Sequence, residues 1–118
     1  MLKVKLITEP PGPRDGIRVL VEREVPSGID GPEMLSDVWL KGAAPSEELR
    51  RWREKHPGSW KRYAQRYQDE LRRKPSVVRK LRGLARECET VTLVHADTDS
   101  NHSHVRVLYD IVRPQRDS

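Results

Sequence analysis

The chain has 118 residues and 13.7 kDa, with 35% hydrophobic against 35% charged residues and three Trp, three Tyr and no Phe; this suits one small core of Leu, Val and Ile and excludes a large apolar cavity. No run of 18 apolar residues exists, and Met1 to Ile7 alternates rather than forming a signal-peptide core, so a cytoplasmic protein without a membrane partner is expected. Cys88 is the single cysteine, which excludes an internal disulfide and any multi-cysteine metal site, and the net charge of +5 conceals a basic stretch over residues 50–82 with 13 Lys or Arg against three acids.

In chain order, Lys3-Val4-Lys5-Leu6-Ile7 alternates like a strand, and residues 17–22 place Ile17, Val19 and Val21 on one face. The nine residues between them contain Pro10-Pro11-Gly12-Pro13 and Asp15-Gly16, turn chemistry too short for a helical crossover. These two strands are therefore expected to be antiparallel neighbours, with the first at a sheet edge. Residues 26–32 are rich in Gly and Pro, and 33–41 read as a short helix or turn.

A firmer helix is predicted over 47–54, capped by Ser46 with Glu47 and Glu48 in its first turn. His56-Pro57-Gly58 ends it. Ser59 is expected to cap the next helix, 60–73, whose stripe runs Trp60, Tyr63, Ala64, Tyr67 and Leu71. Pro75-Ser76 restarts a helix over 77–87, and Cys88 just after it continues the apolar stripe as a core residue. Residues 91–95 form a third strand and 102–112 a last helix.

The sum is a single small α/β domain over residues 1–114, with a frayed tail at 115–118. Its sheet is three-stranded, mixed or mostly parallel, and packed with four to five helices. The block between Val21 and Val91 is long enough for a parallel crossover.

The middle of the chain resembles the YeaO-like family, domain of unknown function 488. The resemblance rests on residues 18–23 with Pro26 and Gly28, on Asp37-Val38-Trp39-Leu40-Lys41, Ala44-Pro45-Ser46 and Glu48-Leu49-Arg50, and on Trp52, Pro57, Trp60, Arg66-Tyr67, Glu70-Leu71 and Thr92-Leu93. It implies the fold and no established activity. The family usually has a Trp-Pro-Arg-Gly turn where this chain has Val25-Pro26-Ser27-Gly28. It has Asn where Ser103 stands between His102 and His104, and an aromatic and a His-Asp pair where Arg53 and Lys55-His56 stand.

The densest polar cluster is His95 to His104, with three of the four histidines and two carboxylates in ten residues. Loops after strand C-termini line ligand crevices in α/β folds, so the loops after Val21 and Val94 are expected to bind a small anion, a phosphate or a nucleotide. The candidate ligand residues are Arg23, Lys41, Arg50, Asn101, His102 and His104, the imidazoles donating from both nitrogens when protonated. The same cluster also reads as turn and cap chemistry.

Two alternatives stand beside this reading. A divalent metal on His95, Asp97, Asp99 and His102 would make a metal-dependent hydrolase, although the spacing matches no known ligand motif. The basic segment 50–82 would make a nonspecific nucleic-acid-binding module, or merely a solvated helix face. Trp39, Trp52 and Trp60 are expected as core anchors rather than base-stacking platforms. The residues leave open whether the protein is an enzyme, which cofactor it holds, if any, and its oligomeric state.

Overall fold

A computed structural model describes residues 1–25, 36–97 and 102–113. Four strands, β1 (Leu2–Leu6), β2 (Ile17–Leu20), β3 (Val38–Trp39) and β4 (Val91–His95), form one sheet in the order β1-β4-β2-β3, and every pair is parallel. The α/β class and the edge position of β1 follow the sequence reading. The antiparallel pairing of β1 with β2 does not, because β4 lies between them and runs parallel to both. A fourth strand, only two residues long, stands where a helix or turn was expected, followed by a 3-10 turn at Lys41–Ala43.

The register settles which side chains share a face. Leu2, Val91, Ile17, Val19 and Leu93 point to one side and pack against α1 (Glu47–Lys55), α2 (Trp60–Arg72), α3 (Pro75–Glu87) and α4 (His104–Val112). Leu49, Tyr63, Tyr67, Leu71, Leu81 and Leu108 supply the helical half of that core. Trp52 and Trp60 pack against it half-buried, under the guanidinium groups of Arg66 and Arg53, and Cys88 packs there too.

The opposite face carries Arg18, Thr92, Leu20 and Val94, all buried. Its polar end is organised by Asp15, whose carboxylate accepts from Gly12 N–H (2.9 Å), Lys5 Nζ (3.1 Å) and Arg18 Nη1 (2.5 Å). The Gly12 N–H, aided by the Lys5 and Arg18 charges, holds the Asp15 carboxyl well below the usual carboxylate range against the opposing effect of burial. Asp15 thereby joins the loop before β2 to β1, and the Thr92 hydroxyl ties the same loop to β4 by donating to Asp15 O (2.7 Å).

Helix boundaries follow local chemistry. Ser46 Oγ accepts from Leu49 N (3.1 Å) as the α1 cap, and Pro75 begins α3 where its missing N–H costs nothing. Ser59 does not cap α2 through its side chain; only its carbonyl serves, accepting from Tyr63 N (3.0 Å). The polar residues 98–101, including Asp99 and Asn101, lie outside the described residues, as do Pro26 to Gly28 and the tail 115–118.

Candidate functional site

β2 and β4 are parallel neighbours, so the segments after both emerge at one edge of the sheet. Val21 N still donates to Val94 O (3.0 Å), after which the two chains part. Arg23 reaches across this gap and its Nε–H donates to Pro45 O (3.3 Å), drawing the start of α1 to the end of β2. From the other side Trp39 Nε1–H donates to Glu22 O (2.7 Å). A cavity of about 480 Å³ results, bounded by the ends of β2 and β4 and the first turns of α1 and α4.

Three guanidinium groups line it: Arg23, Arg50 and Arg53. Arg50 pairs with Glu47 (2.6 Å) at the exposed rim. Arg53 spans the cavity wall, with Nη1 on Asp97 Oδ2 (3.3 Å) and Nη2 donating to His102 O, while its guanidinium lies 4.6 Å from the Tyr63 ring centroid. Glu22, Glu24, Glu47 and Asp97 supply the acidic lining. Lined by both signs, the cavity suits a ligand with an anionic group and hydrogen-bond donors.

His104 closes the inner end. Its Nε2 lies 2.9 Å from Val21 O and 3.3 Å from Glu22 Oε1; a carbonyl only accepts, so the proton sits on Nε2. Burial lowers its pKa to about 4, despite the favourable Val21 carbonyl, so the ring is neutral at physiological pH. Tyr67 meets the ring edge-on at 5.9 Å. Burial, reinforced by the Asp97 charge and opposed by the Ala96 N–H, pushes the Glu22 carboxyl up to about 7. The group titrating near neutrality in this cavity is therefore a carboxylate and not an imidazole. Among its described lining residues there is no Ser, Thr or Cys, and Tyr63, whose pKa burial raises, is the one hydroxyl.

Of the residues singled out from the sequence, Arg23, Arg50 and His104 come together here, along with Asp97 of the candidate metal set. Lys41 does not: its Nζ lies 4.2 Å over the Trp39 ring. His102 stacks on Trp60 at 5.1 Å outside the lining and offers its carbonyl, not its ring, to Arg53. Asn101 and Asp99 lie outside the described residues. His95 is buried beside a different cavity, and among the described residues no group of three His, Cys, Asp or Glu stands close enough to hold a metal.

Glu22, Arg53 and Tyr63 were missed. Arg53 was legible, since it follows Arg50 by three positions and so shares its helix face. Tyr63 sits in the apolar stripe of α2 and carries no signal beyond core packing.

Among the described residues no helix is long and apolar enough to cross a membrane. A family model described as the inactive DUF488-N3 subclade matches residues 1–117. The uncharacterized protein Rv3073c of Mycobacterium tuberculosis and its Mycobacterium bovis counterpart Mb3100c are each 36% identical over 113 residues, covering 94% of this chain and 92% of theirs. The uncharacterized protein YeaO of Escherichia coli is 28% identical over 112 residues, covering 95% of this chain and 96% of its own. No solved structure matches.

Proposed function

Because the chain belongs to the inactive DUF488-N3 subclade of the YeaO-like DUF488 proteins, we propose that it binds a small phosphate-bearing ligand, of the nucleotide class, without transforming it. The observation that carries this reading is the convergence of Arg23, Arg50 and Arg53 on one cavity at parallel strand ends, the position where α/β folds take anionic ligands. The acidic residues complement it: Glu24 and Asp97 accept from ribose hydroxyls or a base amino group while the phosphate takes the guanidinium groups. We place the protein in the cytoplasm, where such ligands abound.

Thermal-shift and calorimetric titrations with inorganic phosphate, ADP and adenosine test this. ADP is expected to raise the melting temperature by mass action and adenosine to do so less. Arg23→Ala or Arg50→Ala weakens ADP binding by about 1.5–3 kcal/mol. Affinity rises as pH falls through about 7, because protonating Glu22 removes a negative charge beside the phosphate. No stabilisation at millimolar ADP overturns the reading.

A second reading rests on the helical flank, where Arg72, Arg79 and Arg82 rim a shallow cavity between α2 and α3. It makes that flank a nonspecific nucleic-acid surface. Binding to duplex DNA or RNA that falls steeply with salt, and weakens in Arg79→Glu, supports it; no binding at low salt dismisses it.

A further inference from the structure

β1 is an edge strand with α4 beside it, and a cavity of about 710 Å³ runs between them. All five residues of β1 line it, from both faces of the pleat, so what faces the groove is the edge of the strand itself. The pairing with β4 tells which backbone groups are free. Val91 N donates to Met1 O (2.9 Å) and Ile7 N donates to His95 O (2.7 Å), so odd-numbered residues face β4 and the N–H and C=O of Leu2, Val4 and Leu6 face outward. Leu6 is already paired: its N–H donates to Glu9 Oε2 (2.7 Å) and its carbonyl accepts from Glu9 N (3.0 Å). Among the described residues Leu2 and Val4 remain as an open ladder.

Lysines commonly guard such edges, but Lys3 and Lys5 are drawn onto the opposite face by Asp15, at 3.6 and 3.1 Å. Val4 is left 38% exposed, one of two large hydrophobic side chains exposed among the described residues. The charge of the groove is one-sided. Its acids are engaged, Glu9 by the Leu6 N–H and Asp97 by Arg53, whereas Arg106 and Arg113 make no ion pair among the described residues.

We propose that this edge docks an extended acidic segment of a partner protein, which adds as a further strand beside β1. It accepts from Val4 N–H, donates to the Leu2 and Val4 carbonyls, and turns its carboxylates toward α4, against Arg106 and Arg113, while the intervening apolar side chains lie on the opposite face. The groove is separate from the cavity at the β2 end, with Asp97 the residue common to both.

The test uses the isotope-labelled full chain and two capped synthetic hexapeptides, one alternating valine with glutamate and one alternating valine with lysine. The acidic peptide is expected to shift the amide signals of Leu2, Val4, Arg106 and Tyr109, to leave Arg23 and Arg50 unmoved, and to slow exchange of the Val4 amide. Val4→Pro removes an outward N–H that β4 does not use, and abolishes binding. Arg106→Glu with Arg113→Glu, both exposed positions, weakens the acidic peptide roughly tenfold or more and transfers preference to the basic one. No shifts at millimolar acidic peptide, or equal binding of the two peptides by the native chain, overturns the proposal. Concentration-dependent shifts of the same β1 signals without peptide, with a dimer in sedimentation, assign the edge to a second copy instead and also overturn it.

Discussion

Glu70 of α2 holds Ser46, the N-cap of α1, through two hydrogen bonds: Ser46 N donates to Oε1 at 2.9 Å and the Ser46 hydroxyl donates to Oε2 at 2.5 Å. The hydroxyl oxygen in turn accepts from Leu49 N. One carboxylate on a neighbouring helix thus orients the cap of another, whose first turn bounds the arginine-lined cavity.

Ser46→Ala is expected to cost about 0.5–2 kcal/mol and Glu70→Ala about 1.5–3 kcal/mol. The double variant loses less than the sum, with a coupling of about 0.5 kcal/mol or more. Urea denaturation of all four proteins measures it. Strict additivity counts against the relay from Glu70 through Ser46 to α1.

Glu22 and His104 pull stability in opposite directions as pH changes. The folded Glu22 carboxyl, at about 7 against an ordinary 4.5, holds its proton more tightly than the unfolded chain does, so stability falls as pH rises between those values. His104, at about 4 against 6.5, is neutral when folded while the unfolded ring is protonated, so stability rises with pH over that interval. The two slopes oppose each other where the intervals overlap. Glu22→Gln removes one of them: its stability climbs from pH 4.5 to 6.5 and at pH 8 exceeds the native protein by about 3 kcal/mol. A variant no more stable than the native chain at pH 8 refutes this assignment.

Tyr67, fully buried, donates its hydroxyl to Ala43 O at 2.5 Å and so satisfies the carbonyl at the end of the 3-10 turn. Tyr67→Phe keeps the packing and strands that acceptor, at an expected cost of about 1–3 kcal/mol. Chemical denaturation reads the loss, and a change under about 0.5 kcal/mol would mean the carbonyl finds water.

Gly16 has φ +62, and a Cβ there would stand 2.0 Å from Thr90 O, the atom that accepts the first N–H of β2. Gly16→Ala should therefore cost about 2 kcal/mol or more. At Gly12 the nearest atom to an added Cβ is 3.5 Å away, so Gly12→Ala should stay within about 0.5 kcal/mol. Melting temperatures of the two variants make the comparison, and equal losses would show that neither steric contact nor backbone conformation governs this loop.

Periodicity made most of the elements legible. Leu2 to Leu6 alternates, the stripe Tyr63, Tyr67, Leu71 repeats at helical spacing, and Ser46 and Pro75 mark helix starts through chemistry local to their own turns. Pairing was not legible, because the partner of β1 is β4, nearly ninety residues later, and a short loop between β1 and β2 suggests adjacency that β4 cancels by inserting itself. β3 has two residues, too few for any alternation. In the cavity, Arg23 and His104 were found because both flank strand or helix ends, whereas Glu22 was missed. Its proton affinity comes from burial next to Asp97, a tertiary property. Lys41 was misplaced because sequence shows its charge but not the indole of Trp39 beneath it.

The place of β4 between β1 and β2 also sets a timetable for the nascent chain. β1 leaves the ribosome first, yet every strand-to-strand hydrogen bond it makes needs residues 91–95. At about 5–20 residues per second of synthesis, its backbone waits several seconds for a partner, and α4, the helix beside it, is completed later still. Closing the sheet is then a late event, governed by the loop entropy between the first strand and the fourth and by whatever shields an unpaired apolar strand in the meantime.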